Sequence, residues 1–449
     1  MVFMIMEFRK EVVTGWGRYL KPECFLTRPE WPSEVQALSL DTDFNHLICR
    51  GLGRSYGDQS SNKENLVVIT TRLNRFIDWD EKNGILHAES GTSLSKILKF
   101  SIPRGFFLPV TPGTRFITIG GALAFDVHGK NQHKDGNFGN HVLGFSLLLP
   151  SGEKVWVTKD NNPDLFSATI GGLGLTGIIL DIKLKLIPIE TSYVMVKYAP
   201  FKSLEEARDI FLEGDKDYPY TVAWMDLSLE KGVATLGRFA NKEEVKQKNP
   251  LSIHSDKLKK VPKIFPSFAL NKISLNLFYS LYYRLQAGKG IRIEEYSKFF
   301  YPLDAIENWN ILYGKKGFIQ YQIVVPFEEG IETLRKVTNK LKENGFFPYL
   351  SVLKLFGEKR AGLLSFPKTG YTLALDIPAK NPKLFSVLDE IDNMILDGGG
   401  RVYLAKDARM KPELFRKMYP DFKKWKEIKN KIDPGNRFSS DISRRLCIT

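Results

Sequence analysis

Gly171-Gly172-Leu173-Gly174-Leu175-Thr176-Gly177, running on into Ile178-Ile179-Leu180-Asp181-Ile182-Lys183, is the stretch on which the fold turns. Gly172, Gly174 and Gly177 satisfy G-x-G-x-x-G by spacing. A dinucleotide fingerprint of that form follows a strand and opens a helix, so that a pyrophosphate meets the helix N-terminus. Here the glycines lead into residues 178–187, which alternate like a strand and stop at Pro188. That order of elements excludes a Rossmann nicotinamide site. A Walker A motif, G-x-x-x-x-G-K-[ST], is absent as well.

The upstream residues read as short strands between glycine loops. Residues 66–70 form a β-branched run, and 76–80 and 85–89 flank Asn83-Gly84, a strong hairpin signal. Ser93 stands where it caps a short helix carrying Leu94, Ile97 and Leu98. Residues 145–149 and 154–158 flank Pro150-Ser151-Gly152 as a second hairpin. Two more glycine loops lie among these strands. One is Arg50-Gly51-Leu52-Gly53-Arg54-Ser55-Tyr56-Gly57-Asp58. Glycine admits positive φ and close approach, and successive N–H groups can form an anion nest; a set of tight turns reads equally well. The other is Thr111-Pro112-Gly113-Thr114-Arg115, continuing through Thr118-Ile119-Gly120-Gly121-Ala122 to Asp126-Val127-His128-Gly129-Lys130-Asn131. A packed core has no need of that arrangement, whereas a flat aromatic cofactor lying against backbone does.

The rhythm changes after about residue 191. Strands are expected at 194–198, 221–226, 317–325, 349–355, 371–377 and 401–405, and helices at 203–213, 328–344 and 382–396. This is an α+β pattern, a sheet with helices packed on one face. Residues 241–298 stand apart. They are rich in Lys, Pro and Asn up to Pro266, with Lys257, Lys259, Lys260, Lys263 and Lys272, and then carry Phe278, Leu281, Tyr282 and Leu285 at helical spacing. The reading is a mobile connector followed by an amphipathic helix. Phe422, Trp425, Ile428 and Ile432 mark a last helix, stopped by Asp433-Pro434-Gly435.

At 449 residues the chain exceeds one ordinary core and suits two domains. Cys24, Cys49 and Cys447 are scattered and form no C-x-x-C pair, and the six histidines make no H-E-x-x-H or H-x-H cluster. Neither a disulfide scaffold nor a metal site is expected, and a reducing compartment fits. The net charge of +14 suits an anionic partner, or solubility alone. A non-enzymatic basic binder of membrane or nucleic acid has only that charge in its favour. No helix-turn-helix, zinc-finger or RNP pattern is present, so nucleic acid is not expected as a partner. The opening MVFMIMEFRK lacks the order of a signal peptide and reads as an amphipathic first strand or arm. No window approaches the roughly 18 apolar residues of a spanning helix. The expected location is cytoplasmic, at most peripheral at a membrane.

Taken together, R-G-x-G-R-S-Y-G-D, T-P-G-T-R…G-G-A…D-x-H-G-K-N and G-G-x-G-x-T-G-I resemble the vanillyl-alcohol-oxidase type of FAD-binding domain. Within it, the chain is most similar to the family of oxidase subunits of decaprenylphosphoryl-β-D-ribose 2′-epimerase. Gln320-Tyr321-Gln322, Tyr403-Leu404-Ala405-Lys406-Asp407-Ala408-Arg409 and Asp441-Ile442-Ser443-Arg444-Arg445-Leu446 extend the match, which is loose over 191–300. The resemblance implies a two-part FAD-binding domain, 1–190 completed by 401–449, with an α+β substrate (cap) domain inserted at 191–400. It implies cofactor contacts at Gly51, Gly53, Arg54, Ser55, Tyr56 and Gly57, and at Thr114, Gly120, Gly121, Ala124, His128, Gly129 and Asn131. Gly174, Ile178 and Tyr403 complete that set. Many relatives attach FAD through a histidine in the first loop; Arg54-Ser55 stands there, so noncovalent FAD is expected. The family's Ala-or-Cys cap position is Ala374.

The implied activity is oxidation of a secondary hydroxyl of a sugar, the 2′-hydroxyl of a polyprenyl-phosphate pentose, to a ketone. A separate ketoreductase would complete an epimerisation. A soluble alditol or aldonolactone oxidase is the alternative; such relatives need no basic connector, and many carry the missing histidine. Such oxidation needs a C–H aimed at flavin N5, a base for the hydroxyl proton and a positive group for developing charge. Lys406 matches the family's essential lysine. It serves as base if burial lowers its pKa, or stays protonated to stabilise the alkoxide; without the match it reads as a solvated lysine at a strand end. His128 orients the hydroxyl, shares the base role, or is satisfied by backbone. Lys130 would contact the flavin or a substrate phosphate. Gln322 and Lys354 match substrate-pocket residues, and Tyr301 is placed with them. The Lys-rich stretch 257–285 reads as a dock for anionic lipid or as a mobile lid.

Overall fold

The computed structural model describes residues 7–40, 43–253, 259–260, 272–358 and 360–449. Lys257 and Lys263, with much of the expected connector, lie outside the described residues, as does the start of the N-terminal arm.

The residues after the third glycine loop form a strand, Ile178–Lys185, flanked on both sides. It pairs antiparallel with Ile85–Glu89 on one side and Val142–Leu148 on the other. Phe76–Asp80 and Lys154–Val157 complete a five-stranded sheet. The Asn83-Gly84 turn closes the first hairpin with Gly84 at φ +62°. Helix Leu94–Ser101 packs Leu94, Ile97 and Leu98 into the core below this sheet, and Ser93 caps it by accepting from the Lys96 N–H at 3.1 Å. A smaller sheet joins Arg9–Val12, Glu23–Thr27, Leu66–Ile69 and Leu47–Arg50, with parallel pairing on both sides of Leu66–Ile69. The chain returns to this sheet near its end: the Leu47 N–H donates to the Arg437 carbonyl at 2.9 Å and the Ser439 N–H to Leu47 at 3.1 Å.

An antiparallel eight-stranded sheet spans Tyr193–Phe201 to Arg401–Val402. Alternation along its strands divides the sheet into two chemical faces. Ile319, Tyr321, Ile323, Leu353, Leu373 and Leu375 point into a core shared with Leu334, Val337, Leu388 and Ile391 of helices Phe327–Glu343 and Lys383–Asp397. Leu204, Ala207 and Phe211 of helix Leu204–Gly214 enter the same core. The intervening residues Gln320, Gln322, Val352, Lys354 and Ala374 line a cavity on the other face.

Three expectations change. The strand at 401–405 is only Arg401–Val402; beyond it the chain turns, with the Lys406 and Asp407 N–H groups both donating to the Tyr403 carbonyl at 3.0 Å. Lys406 therefore stands on a turn. Helices do not keep to one face, because Lys272–Ala287 lies over the reverse side, where Tyr279 and Tyr282 meet Trp224. That packing also rotates the helix from its expected apolar face: Leu281 and Leu285 are 55% and 61% exposed. Finally, strands Lys231–Phe239 and Ile291–Glu295 were not foreseen.

Candidate functional site

All three glycine loops and the polar face of the large sheet converge on one cavity of about 300 Å³. The first loop contributes Gly51, Gly53, Arg54, Ser55 and Tyr56. It is fixed at both ends: the Trp16 N–H donates to the Ser55 carbonyl at 2.7 Å and the Tyr56 N–H to Ala405 at 3.1 Å. Arg54 lies 3.8 Å over the Trp16 ring. From the second loop come Thr114, Gly120, Gly121, Ala124 and His128. Thr118 caps the short helix Ile119–Ala124, its hydroxyl accepting from the Gly121 N–H at 3.2 Å. The third loop adds Leu173, Gly174 and Gly177.

These walls are bare because side chains cannot fit. A Cβ at Gly51 would lie 2.2 Å from Thr118 Oγ1, and one at Gly120 would lie 2.9 Å from Ser90 Cβ. Gly53 and Gly174 hold φ of +64° and +73°, where L side chains are strained. Arg54 Nε, Ser90 Oγ and His128 Nδ1, all on lining residues, are buried polar atoms without a partner among the described residues. Such groups are normally satisfied. Exposed backbone and orphaned polar atoms around a slot fit a flat polar cofactor.

The opposite wall carries the reactive groups. Gln322, Ala374 and Val352 sit in register on three neighbouring strands, and Lys354 pairs with Thr372 one step along that face. Lys406 reaches in from its turn, its Nζ 3.8 Å from the Tyr56 ring centroid. Burial pulls the Lys406 ammonium down to about 7; Asp376 opposes the shift and Lys354 adds to it. Burial alone brings Lys354 down to about 8. Asp376, pushed up to about 6 by burial, accepts from Gln320 Nε2 at 2.6 Å and the Tyr313 hydroxyl at 3.0 Å. His128 falls well below the usual imidazole range, mainly through burial and then through Lys354 and Lys406. Gln322 Nε2 donates to His128 Nε2 at 3.1 Å, which assigns the imidazole proton to Nδ1.

Six expected contacts are not on the cavity wall. Gly57 donates to Gln59 Oε1 at 2.8 Å, and Gly129 is pressed against Asn131 and Thr111. Asn131 donates to the Pro109 carbonyl at 2.9 Å and to Asp135 at 2.6 Å. Ile178 belongs to the core with Leu148 and Phe438. Lys130 donates to the Phe300 carbonyl at 3.2 Å, and the Tyr301 hydroxyl bonds Thr111 Oγ1 at 2.6 Å. They brace the loops from behind. Conversely, Trp16, Thr118, Asp304 and Trp309 line the cavity unforeseen. Thr118 had a legible signal, a threonine three residues before Gly121 at a helix start.

The chain matches the FAD binding domain family over residues 26–158 and the D-arabinono-1,4-lactone oxidase family over 315–446. It is 38% identical over 445 residues to the decaprenylphosphoryl-β-D-ribose oxidase of Mycolicibacterium smegmatis, covering 96% of each chain. This protein belongs to that oxidase family. It is therefore an FAD-dependent oxidoreductase of the α+β class. An uncharacterised Streptomyces coelicolor protein is 33% identical over 372 residues, 79% of this chain and 99% of the relative. L-gulonolactone oxidase 3 of Arabidopsis thaliana is 22% identical over 459 residues. The family assignment overturns the non-enzymatic binder. Among the described residues no helix is long and apolar enough to cross a membrane.

Proposed function

We propose that this flavoenzyme oxidises the 2′-hydroxyl of a polyprenyl-phosphate pentose to a ketone, using noncovalent FAD, with residues 191–400 acting as a substrate cap over the FAD-binding parts 1–190 and 401–449. The observation that carries the reading is Lys406, desolvated where the glycine loops meet the polar face of the cap sheet. The bare backbone at Gly51, Gly53, Gly120 and Gly174 would hold the cofactor, with Arg54 supplying positive charge. Bound FAD supplies the hydride acceptor. Lys406, neutral in much of its population at neutral pH, takes the hydroxyl proton. His128 already receives a hydrogen bond at Nε2, which leaves Nδ1–H as its free donor and suits it to orient an oxygen. Arg54-Ser55 offers no histidine for covalent attachment.

The ketone product calls for a separate reductase if an epimer is the end point. The outward-facing Leu281, Arg284 and Leu285 of helix Lys272–Ala287, beside exposed Ile291 and Ile293, support peripheral contact with an anionic lipid surface. Anaerobic bleaching of the flavin by a polyprenyl-phosphoryl ribose, absent in Lys406→Ala, is the expected result. Bleaching by alditols or aldonolactones alone overturns the assignment in favour of a soluble sugar oxidase.

A further inference from the structure

Several buried acids in this molecule are answered by a cation. Asp58 and Asp407 meet Arg445, Asp392 meets Arg409, and Asp433 meets Lys429. Asp376, on strand Gly370–Pro378 and 1% exposed, is answered differently. Its Oδ1 accepts from Gln320 Nε2 at 2.6 Å and its Oδ2 from the Tyr313 hydroxyl at 3.0 Å. Among the described residues no ammonium or guanidinium forms an ion pair with it. The acid is held firmly in place. Gln320 is its register partner on the neighbouring strand, and the Tyr349 N–H donates to its carbonyl at 2.8 Å. The Tyr313 ring stacks between Phe318, at 3.9 Å, and Tyr349, at 5.4 Å.

Burying a carboxylate without a counter-ion is costly, and asparagine would fill the same space for less. What the acid adds is direction. An ionised carboxylate only accepts, so each neighbour must turn a donor toward it, whereas a primary amide can meet either end of another amide. Asp376 therefore dictates which way the Gln320 amide faces. The Gln320 NH2 carries two hydrogens. One goes to Asp376, and the bond between Gln320 and the Tyr56 phenol, which favours the phenolate, draws the other from the same end. The carbonyl oxygen is left for the cavity, whose wall includes Gln320 but not Asp376. That oxygen belongs to the Lys406 side of the cavity, because Lys406 Nζ sits 3.8 Å from the centroid of the same Tyr56 ring.

We infer that Asp376 is a positioning residue for the oxidation: it holds the Gln320 amide by its NH2 end, so that the carbonyl oxygen accepts from the sugar hydroxyl beside the one that Lys406 deprotonates. This rests on the reading above. In a pentose whose C1′ carries the phosphate and whose 2′-hydroxyl reacts, the neighbouring hydroxyl is the 3′. An acceptor there fixes the rotation of the ring about the reacting carbon, and with it the direction of the C–H bond that leaves as hydride. Asp376 touches neither sugar nor cofactor; it acts through Gln320.

The test compares kcat/KM of FAD-loaded variants for a prenyl-phosphoryl ribose and for its 3′-deoxy analogue. Asp376→Asn is expected to lower kcat/KM for the ribose about tenfold, to leave the deoxy sugar and the flavin content unchanged, and to cost nothing further in a Gln320→Met background. Exchanging the pair, Asp376→Asn with Gln320→Glu, should restore most of the loss, since the amide then donates from the other side and a carboxylate oxygen faces the cavity. Parental kcat/KM in Asp376→Asn overturns the inference. So does an equal loss for both sugars, which marks a general structural role, or a tenfold loss that persists in Gln320→Met. If Asp376→Asn yields no holoenzyme, Gln320→Met alone decides, and unchanged discrimination between the two sugars overturns the inference. A parent enzyme that does not oxidise the prenyl-phosphoryl sugar sinks the substrate reading instead, and the same variants compared on an alditol and its deoxy analogue then read the role of Asp376 separately.

Discussion

The Arg445 guanidinium grips the Asp58 carboxylate with two hydrogen bonds, Nε to Oδ2 at 2.8 Å and Nη2 to Oδ1 at 2.9 Å. Nη2 also reaches Asp407 Oδ2 at 2.8 Å. One side chain of the C-terminal helix Asp441–Arg445 thus ties the end of the first glycine loop to the residue after Lys406. Gln59 reinforces the joint, donating to the carbonyls of Leu404 at 2.7 Å and Asp407 at 2.5 Å.

Arg445→Met should therefore strip Asp58 of its guanidinium and leave Asp407 with only its backbone N–H bonds from Arg409 and Met410. A loss of about 3–5 kcal/mol in unfolding free energy is expected, the range for breaking a buried pair from one side. Lys at this position restores only part, because an ammonium cannot reproduce the bidentate geometry. Urea denaturation of the apoprotein measures this directly; a change below about 1 kcal/mol would show that the joint is incidental.

The pH profile of kcat/KM for a prenyl-phosphate sugar should show an acid limb. Lys406 must be neutral to accept a proton, so the rate rises as pH climbs to about 7 and then levels. Lys406→Met should cost roughly 10²–10⁴-fold and erase the acid limb. An acid limb that survives in Lys406→Met assigns the base elsewhere.

Glycine substitutions separate cradle from mere loop. Gly51→Ala places a Cβ 2.2 Å from Thr118 Oγ1, so Thr118 must abandon its cap on the Gly121 N–H. Purified Gly51→Ala should retain much less flavin per chain than the parent. Gly435→Ala, away from the cavity and with nothing within 4 Å of a Cβ, should retain a full complement. Equal flavin content in the two variants contradicts the proposed seat.

Thiol chemistry should follow exposure and acidity. Cys447 is exposed, whereas Cys49 lines the cavity but has its thiol pushed up to about 12 by burial. Iodoacetamide should label Cys447 and spare Cys49 at pH 8. Ala374→Cys places a new sulfur on the cavity wall, and its labelling should be slowed by farnesyl phosphate. Rapid modification of Cys49 in the parent would mean a far more open cavity.

Much of this was legible where a single residue type dictated local geometry. Asn83-Gly84 specified its hairpin, Ser93 its helix, and the alternation after Gly177 its strand. Strand Lys231–Phe239 was hidden because Gly232 and Gly237 look like breaks. They are there for close approach: a Cβ would lie 2.6 Å from the Phe201 ring at Gly232 and 2.4 Å from the Phe299 ring at Gly237. The cavity face of Phe318–Val325 was readable from Gln320 and Gln322 on an apolar strand. Lys130 and Tyr301 were not, since motif membership does not tell which way a side chain leaves the backbone. Lys130 turns to the Phe300 carbonyl and Tyr301 to Thr111.

The roof of the cavity and the main hydrophobic core are opposite sides of the same strands. Val352 and Lys354 can change while Leu353 stays, and Ala374 can change while Leu373 and Leu375 stay. Cavity lining and folding are thereby assigned to alternate steps along one ribbon. Lineages sharing this architecture are free to exchange one alcohol for another without repacking the interior.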